Sequence, residues 1–316
     1  MGAKIFIDGE AGTTGLQIRE RLARRSDIDM LSIPQDKRKD LDTRAELLNA
    51  ADVAILCLPD EAAKQSVSLI TNDTTRVIDA STAFRVDPNW AYGFAEMAKG
   101  QSQAIAEAHR VANPGCYPQG PIIMVRPLIE AGLLPASFAL TINAISGYSG
   151  GGRQMIADYE ADGVVASHFM PYGLTFNHKH VPEMTAYTKL AGAPLFVPAV
   201  GDYAQGMVTC VPLQLGMLGK VPTGAEIHGA IGAHLADIND SFVLLAPYEA
   251  LAKTPDLDPQ RYNNTNKMVL HVFANDARAQ VLLVAVYDNL GKGASGAAVQ
   301  NLNLMLGVDV RTGLAD

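Results

Sequence analysis

Cys116 lies in the run Asn113-Pro114-Gly115-Cys116-Tyr117-Pro118, and the apolar residues after it, Ile122, Ile123, Val125, Leu128 and Ile129, have helical spacing that Gly132 ends. Pro118 and Pro121 suit a first helical turn, where a missing N–H leaves no bond unmade. A thiol at a helix N-terminus is favoured as thiolate by the dipole and by free amides, and the same amides can stabilise an oxyanion on an attacked carbonyl. The chemistry expected of Cys116 is therefore nucleophilic catalysis. Cys57, inside AILCL, and Cys210, inside MVTCVPL, read as small core residues.

His178 and His180 stand in Asn177-His178-Lys179-His180-Val181-Pro182-Glu183. In an extended segment that spacing puts both rings on one face. One imidazole acting as acid/base toward a thiol-bound intermediate needs no third ligand, and neither an HExxH motif nor a Cys/His knuckle points to a metal. No metal site is expected. Ser146-Gly147-Tyr148-Ser149-Gly150-Gly151-Gly152-Arg153 offers backbone amides, hydroxyls and one guanidinium, a set suited to a carboxylate or phosphate. Ser149, Arg153 and the second histidine of the pair are the substrate-binding candidates.

Gly9-x-x-Gly12-x-x-Gly15 follows the β-branched and aromatic run Lys4–Asp8 and opens a helical pattern through Leu16, Ile18, Leu22 and Ala23. Strand, glycine turn and helix in that order are the setting of a phosphate-cradling loop, although the spacing departs from GxGxxG. Gly9, Gly12, Thr13, Thr14 and Gly15 are the cofactor-binding candidates there. The second expected strand ends in Ser32-Ile33-Pro34 without an acid, and Lys37, Arg38 and Lys39 follow, with Asp36 among them. Such a cluster can neutralise a ribose 2′-phosphate, so NADP(H) is expected, bound through Lys37 and Arg38.

These residues need elements to hold them. Further strands are expected at Met30–Ile33, Val53–Leu58, Arg76–Ala80 and Val111–Ala112, with a helix starting at Asp60 beyond Pro59. Strands alternating with helices mean a parallel, doubly wound sheet. Past Cys116 the alternating runs lengthen, at Ala139–Ile145, Leu195–Val200, Met207–Leu215, Met268–Phe273 and Gln280–Tyr287, and these suggest a mostly antiparallel sheet. Ala298, Leu302, Met305 and Leu306 share a helical face that Gly307 caps, a helix expected to return to the first domain. The expected fold class is α/β: a Rossmann-like dinucleotide-binding domain over residues 1–115, completed by a C-terminal helix within 296–316, and an α+β catalytic domain over 116–295.

Composition narrows the function. A chain of 316 residues accommodates about two domains at roughly 100–200 residues each. With 48% hydrophobic and 18% charged residues the balance is globular, and a net charge of −8 disfavours nucleic acid as a partner. The longest apolar runs, such as Val281–Tyr287, are strand-sized, so no membrane span is expected. Met1–Asp8 runs into a strand with no secretory pattern, and the expected location is cytoplasmic. Three widely spaced cysteines form no disulfide framework.

Taken in order, the glycine turn, Pro-Gly-Cys-Tyr at 114–117, the serine/glycine/arginine segment, His-Lys-His-Val-Pro-Glu at 178–183 and Asp288-Asn289-Leu290-Gly291-Lys292-Gly293-Ala294-Ser295-Gly296 resemble the N-acetyl-gamma-glutamyl-phosphate reductase family over nearly the whole chain. The resemblance is to its shorter form, which belongs with aspartate-semialdehyde dehydrogenase and, more distantly, glyceraldehyde-3-phosphate dehydrogenase. It implies NADP(H), a catalytic cysteine at Cys116 and a histidine from the pair; the family places a tyrosine six positions before the first histidine, and Tyr172 precedes His178 by six, which favours His178. It also implies that the 289–296 segment closes over the nicotinamide, through Asn289, Gly291 and Gly293. The implied reaction is NADPH-dependent reduction of N-acetyl-L-glutamyl 5-phosphate to the 5-semialdehyde with phosphate release, in arginine biosynthesis, by a homo-oligomer acting on a small acyl phosphate. Pro118-Gln119 stands where the family usually has Pro-Thr, a departure that bears on hydrogen bonding beside the thiol. The competing expectations are aspartate-semialdehyde dehydrogenase or another acyl-phosphate reductase, and an NADP-sensing scaffold without catalysis, which would need neither the thiol nor the acid/base.

Overall fold

The structure, a computed structural model, describes residues 2–161, 167–248 and 257–315; Asp316, at the end of the expected C-terminal segment, lies outside them. The chain packs into two compact units, one formed by residues 1–95, 101–115 and 294–315 and the other by 96–100 and 116–293. Residues 96–100, expected in the nucleotide-binding domain, pack with the second unit, where the Glu96 side chain is drawn into a buried ion pair with Lys292. Residues 294–295, expected in the catalytic domain, pack with the first.

In the first unit β1 (Ala3–Asp8), β2 (Ile28–Leu31), β3 (Val53–Leu56), β4 (Arg76–Asp79), β5 (Ala91–Tyr92) and β6 (Arg110–Ala112) form one all-parallel sheet in the order β2-β1-β3-β4-β6-β5. Its central strands are apolar on both faces, as β3 shows with four buried residues in a row, because helices cover both sides. Those helices are α1 (Thr13–Leu22), α2 (Leu41–Ala50), α3 (Asp60–Leu69), α4 (Gln101–Glu107) and the C-terminal helix Gly296–Leu306, which Gly307 ends in the left-handed region at φ 67°. Ala298, Val299 and Leu302 of that last helix enter one core with Ile5, Ile7, Ile18 and Ile55. The β2 strand begins two residues earlier than the apolar pattern suggests. Helix α2, unforeseen from the sequence, starts at Asp40, whose carboxylate accepts from the Thr43 amide at 2.9 Å.

The chain leaves β1 for β2 on one side and returns to β3 on the other, so the strand order reverses where β1 ends. A doubly wound sheet opens its ligand crevice at such a reversal. Asp8, the last residue of β1, is buried and accepts from Arg44 of α2 (2.9 Å) and Ser66 of α3 (2.8 Å), which ties both helices to the strand end just before the glycine turn.

The second unit holds a seven-stranded sheet in the order β11-β12-β13-β10-β7-β9-β8. Its strands are β7 (Thr141–Gly147), β8 (Phe169–Pro171), β9 (Leu195–Gly201), β10 (Met207–Gln214), β11 (Val243–Leu245), β12 (Met268–Asn275) and β13 (Gln280–Tyr287). Four of its pairings are antiparallel, while β7 pairs with β9 and β11 with β12 in parallel, so the sheet is mixed. Its helices are α5 (Cys116–Glu130), α6 (Gly152–Glu160), α7 (Val181–Thr188) and α8 (Gly224–Ala236). Among the described residues no helix is long and apolar enough to cross a membrane.

Asp79 closes β4 fully buried, with Ser81 Oγ donating to its Oδ2 at 2.6 Å and no hydrogen-bond partner for Oδ1 among the described residues. Burial pushes its carboxyl up to about 6 from an ordinary 3.8. The folded state therefore holds this proton more tightly than the unfolded chain, so its stabilising contribution is complete below the unfolded value and is lost as pH rises through about 6. Asp79→Asn should remove that dependence: relative to the variant, the wild type should lose about 1–3 kcal/mol between pH 4 and pH 7, read by denaturant unfolding across the range. Parallel pH profiles for the two proteins would contradict this.

Candidate active site

In the first unit the glycine turn owes its shape to two of its three glycines. Gly9 has φ +88°, and a Cβ there would come within 2.4 Å of the Cys57 carbonyl oxygen at the end of β3; a Cβ on Gly15 would lie 2.7 Å from the Gly9 carbonyl oxygen. Gly12, the N-cap of α1, is different, because a Cβ there would meet nothing closer than 3.5 Å. Internal packing leaves room at Gly12, so a glycine at that position fits a ligand that closely approaches the backbone. Thr13 and Thr14 follow as the first residues of α1, whose leading amides have no partners within the helix. These residues fit a dinucleotide pyrophosphate.

Next to this turn, Glu10 is held by two arginines: Arg38 Nη2 donates to its Oε1 at 2.8 Å, and Arg19 pairs with its Oε2. Lys37 and Arg38 follow β2 in a short 3-10 turn, both exposed, and the ion pair tethers the Arg38 guanidinium beside the glycine turn.

In the second unit Cys116 is the first residue of α5, partly buried and in no disulfide. Tyr287 Oη donates to its carbonyl at 2.6 Å, and Tyr117 Oη donates to the Ala199 carbonyl at 3.1 Å, so hydroxyls fix the first turn of the helix. Tyr172 Oη lies 3.5 Å from Tyr117 Oη. Burial drives all three phenols above their usual range, Tyr172 to about 12, and the Cys116 side chain adds to each shift. The three hydroxyls therefore stay protonated around the thiol. Cys57 and Cys210 differ: burial raises both thiols, Cys57 to about 12 with the Asp79 and Asp8 carboxylates adding to the effect.

The histidine pair sits at the start of α7, with His180 as its N-cap, rather than in an extended run. The chain bends there because Pro182 pre-sets the first turn. The two rings still meet, 4.8 Å between centroids, and His178 packs edge-on against Tyr117 and Tyr172 at 6.0 and 5.6 Å. His178 is half-buried, and burial, with Lys179 beside it, lowers its pKa to about 4. The imidazole is thus neutral near pH 7. Its Nδ1 accepts from the His180 amide at 3.2 Å, which leaves the single proton on Nε2. His180 is buried, its Nε2 4.0 Å from Glu183 Oε1.

Ser146–Arg153, the segment whose amides, hydroxyls and guanidinium suit an anion, is the end of β7, a 3-10 turn and the start of α6. Ser149 is buried and its Oγ accepts from Asn289 Nδ2 at 3.0 Å, while Asn289 Oδ1 accepts from the Gly206 amide at 2.7 Å. Both polar ends of Asn289 are thereby committed within this unit. Arg153 is exposed on the first turn of α6, with no ion-pair partner among the described residues. Gly291–Ser295 form one π-helical turn ahead of the C-terminal helix. A Cβ on Gly291 would lie 2.2 Å from the Thr265 carbonyl oxygen, which excludes a side chain there, and one on Gly293 would lie 3.0 Å from Cys116 Cβ, a tight fit. Among the described residues no group of three or more His, Cys, Asp or Glu is arranged to hold a metal ion.

Sequence reasoning missed Tyr117 and Tyr287 as neighbours of the thiol, and the anchor Asp288, which accepts from Asn264 and Leu290 amides at 2.8 and 2.9 Å. The only available signal was a run of polar residues at the end of an apolar strand. Gln119, the departure beside the thiol, is buried and donates to the Lys292 carbonyl at 2.9 Å.

Residues 4–107 match the family model described as semialdehyde dehydrogenase, NAD binding domain, and residues 116–289 match semialdehyde dehydrogenase, dimerisation domain. The chain is similar in fold to aspartate semialdehyde dehydrogenase II from Vibrio cholerae, solved with ASA, with a TM-score of 0.69 and 14% identity over 97% of this chain and 99% of that one. Similarity of sequence runs much higher to proteins named N-acetyl-gamma-glutamyl-phosphate reductase. The Chelativorans sp. (strain BNC1) protein is 68% identical over 97% of this chain and 99% of its own length, and the Mesorhizobium japonicum protein 67% identical over 98% and 100%. A glycine turn at the reversal of a parallel sheet, a thiol opening a helix in a second unit and identity of this extent from end to end assign the chain to the N-acetyl-gamma-glutamyl-phosphate reductase family.

Proposed function

We propose that the chain reduces N-acetyl-L-glutamyl 5-phosphate to N-acetyl-L-glutamate 5-semialdehyde with NADPH, releasing phosphate, through a thioester on Cys116. The observation that carries the reading is a helix-opening thiol followed at once by Tyr117, whose ring packs 6.0 Å from that of His178, a neutral imidazole with its proton on Nε2. In this reading the enzyme acts in arginine biosynthesis in the cytoplasm, and it works as a homo-oligomer, a dimer or tetramer, in keeping with the dimerisation domain it matches.

The Cys116 thiolate attacks the acyl carbon; a C–S bond forms, the C–O bond to phosphate breaks, and phosphate leaves with the electron pair. First-turn amides of α5 stabilise the oxyanion that develops on the carbonyl oxygen. When bound, NADPH supplies the hydride that reduces the thioester carbonyl. The His178 Nε2–H hydrogen-bonds to the resulting oxyanion without giving up a permanent charge, which suits a neutral imidazole of low pKa. Collapse breaks the C–S bond, frees the aldehyde and restores the thiolate.

In the first unit Gly9, Gly12, Thr13, Thr14 and Gly15 cradle the pyrophosphate of the nucleotide. Arg38, tethered to Glu10, and Lys37 meet the 2′-phosphate of NADP. Ser149, Arg153 and His180 are the substrate-recognition residues of this reading.

Phosphate-dependent NADP reduction assayed with N-acetylglutamate semialdehyde and aspartate semialdehyde side by side tests the substrate assignment; turnover with the aspartate compound alone would overturn it. Cys116→Ser should retain less than about a hundredth of the activity while still binding NADP, because a hydroxyl is a poor nucleophile at neutral pH. His178→Ala should slow turnover by roughly 10²–10³-fold, as loss of one oxyanion donor does. In the wild type, the His178 ring should titrate near pH 4 by NMR and contribute no limb to the rate profile between pH 5 and 8; a midpoint near 6.5 would refute the neutral-donor role. Replacing Lys37 and Arg38 together by alanine should weaken NADP far more than NAD, with the difference shrinking at high salt. Equal losses would place cofactor preference elsewhere.

A further inference from the structure

Glu96 and Lys292 form an ion pair whose side chains are each 1% exposed. Lys292 Nζ donates to Glu96 Oε1 at 2.8 Å and Oε2 at 2.7 Å, and lies 5.7 Å from the centroid of the Phe242 ring. The Phe242 amide also donates to Glu96 Oε1 at 3.2 Å, and His234 Nε2 lies 3.1 Å from the Glu96 carbonyl oxygen. Burial disfavours the charge on Lys292, and the Glu96 carboxylate opposes that effect. Two charges removed from water are a poor way to gain stability, since an apolar pair of similar volume commonly does as well or better. Stability alone does not account for the pair.

Its place in the chain does. The Lys292 carbonyl accepts from Gln119, three residues after Cys116 on the first turn of α5. Gly293, the next residue, packs so closely that an added Cβ would lie 3.0 Å from both Cys116 Cβ and the Asp288 carbonyl oxygen, and Gly291 on the other side is confined more tightly still, at 2.2 Å from the Thr265 carbonyl oxygen. The backbone at 291–293 is therefore closely confined, and a shift in it reaches the first turn of α5 through Gln119 and through the packing of Gly293 against Cys116. A bidentate carboxylate fixes the ammonium in direction as well as distance, which an apolar side chain does not do.

We propose that the Glu96–Lys292 pair is a positioning device that holds residues 291–293 against the first turn of α5 and so sets the reactivity of the Cys116 thiol. This rests on the reading of Cys116 as nucleophile, but its test does not depend on turnover. Full-length Glu96→Gln, Glu96→Asp and the double variant Glu96→Met with Lys292→Met would be compared with wild type in denaturant unfolding, in kcat and KM, and in the rate at which iodoacetamide alkylates Cys116, followed on its peptide by mass spectrometry. Glu96→Gln should lower both the alkylation rate and kcat by about tenfold or more with KM within about twofold, because misplacement by about 1 Å costs on the order of 10²-fold. Glu96→Asp should recover part of the loss, and the double variant should unfold no more readily than wild type yet stay slow in both assays. Wild-type alkylation and kcat in the stable double variant would overturn the proposal; should that variant not fold, the same outcome in folded Glu96→Gln overturns it. An active Cys116→Ser protein would refute the nucleophile reading alone, and the alkylation comparison would still decide the positioning.

Discussion

The close approach of the Gly293 backbone to Cys116 Cβ is the constraint around which the second unit is arranged. It leaves little room for a side chain at 293, and three successive side chains at the end of β13 brace the chain that leads to it. Tyr287 holds the Cys116 carbonyl, Asp288 gathers the amides of Asn264 and Leu290, and Asn289 spans Gly206 and Ser149. Those bonds fasten the chain leading into the π-helical turn 291–295, and the Tyr287 hydroxyl fastens the first turn of α5 through the Cys116 carbonyl. Fastening of this kind is what orients a nucleophile at a helix start.

The same residue type meets opposite electrostatics at two places in the chain. Cys57 closes the neighbourhood of β3 beside Asp8 and Asp79, and its thiol is held protonated by burial and like charge. Around Cys116 the phenols of Tyr117, Tyr172 and Tyr287 stay neutral, so the thiol there faces hydroxyl dipoles in place of carboxylates. In a partly buried setting such dipoles count for more than they would in water. The tautomer of His178 follows from one backbone amide, that of His180, at the start of α7.

Much of the fold was legible because its signals are local. Apolar runs bounded by glycine and proline located β1, β3, β4 and β6 to within a few residues, and the glycine at 307 marked the end of the last helix. Helix α2 escaped because its apolar face is narrow and its start rests on the Asp40 cap; β5, at two residues, carries no periodicity at all. The parallel pairing of β7 with β9 is likewise invisible in alternation, which reports faces and not strand direction. At the site, Cys116 and His178 stood out by residue type and spacing. Glu96, Gln119 and Tyr287 did not, since each reaches its partner across 171 or more residues or through the packing of a neighbouring helix, and single-sequence patterns contain no record of such contacts.

The account stands most directly on the covalent bond to Cys116. Wild-type protein mixed with N-acetyl-L-glutamyl 5-phosphate in the absence of NADPH, quenched rapidly in acid and analysed by mass spectrometry alongside phosphate release, should give a burst of about one phosphate per active chain and a matching acyl adduct on the Cys116 peptide. A burst without an adduct on that peptide, or an adduct that forms equally in the Cys116→Ser protein, would contradict it.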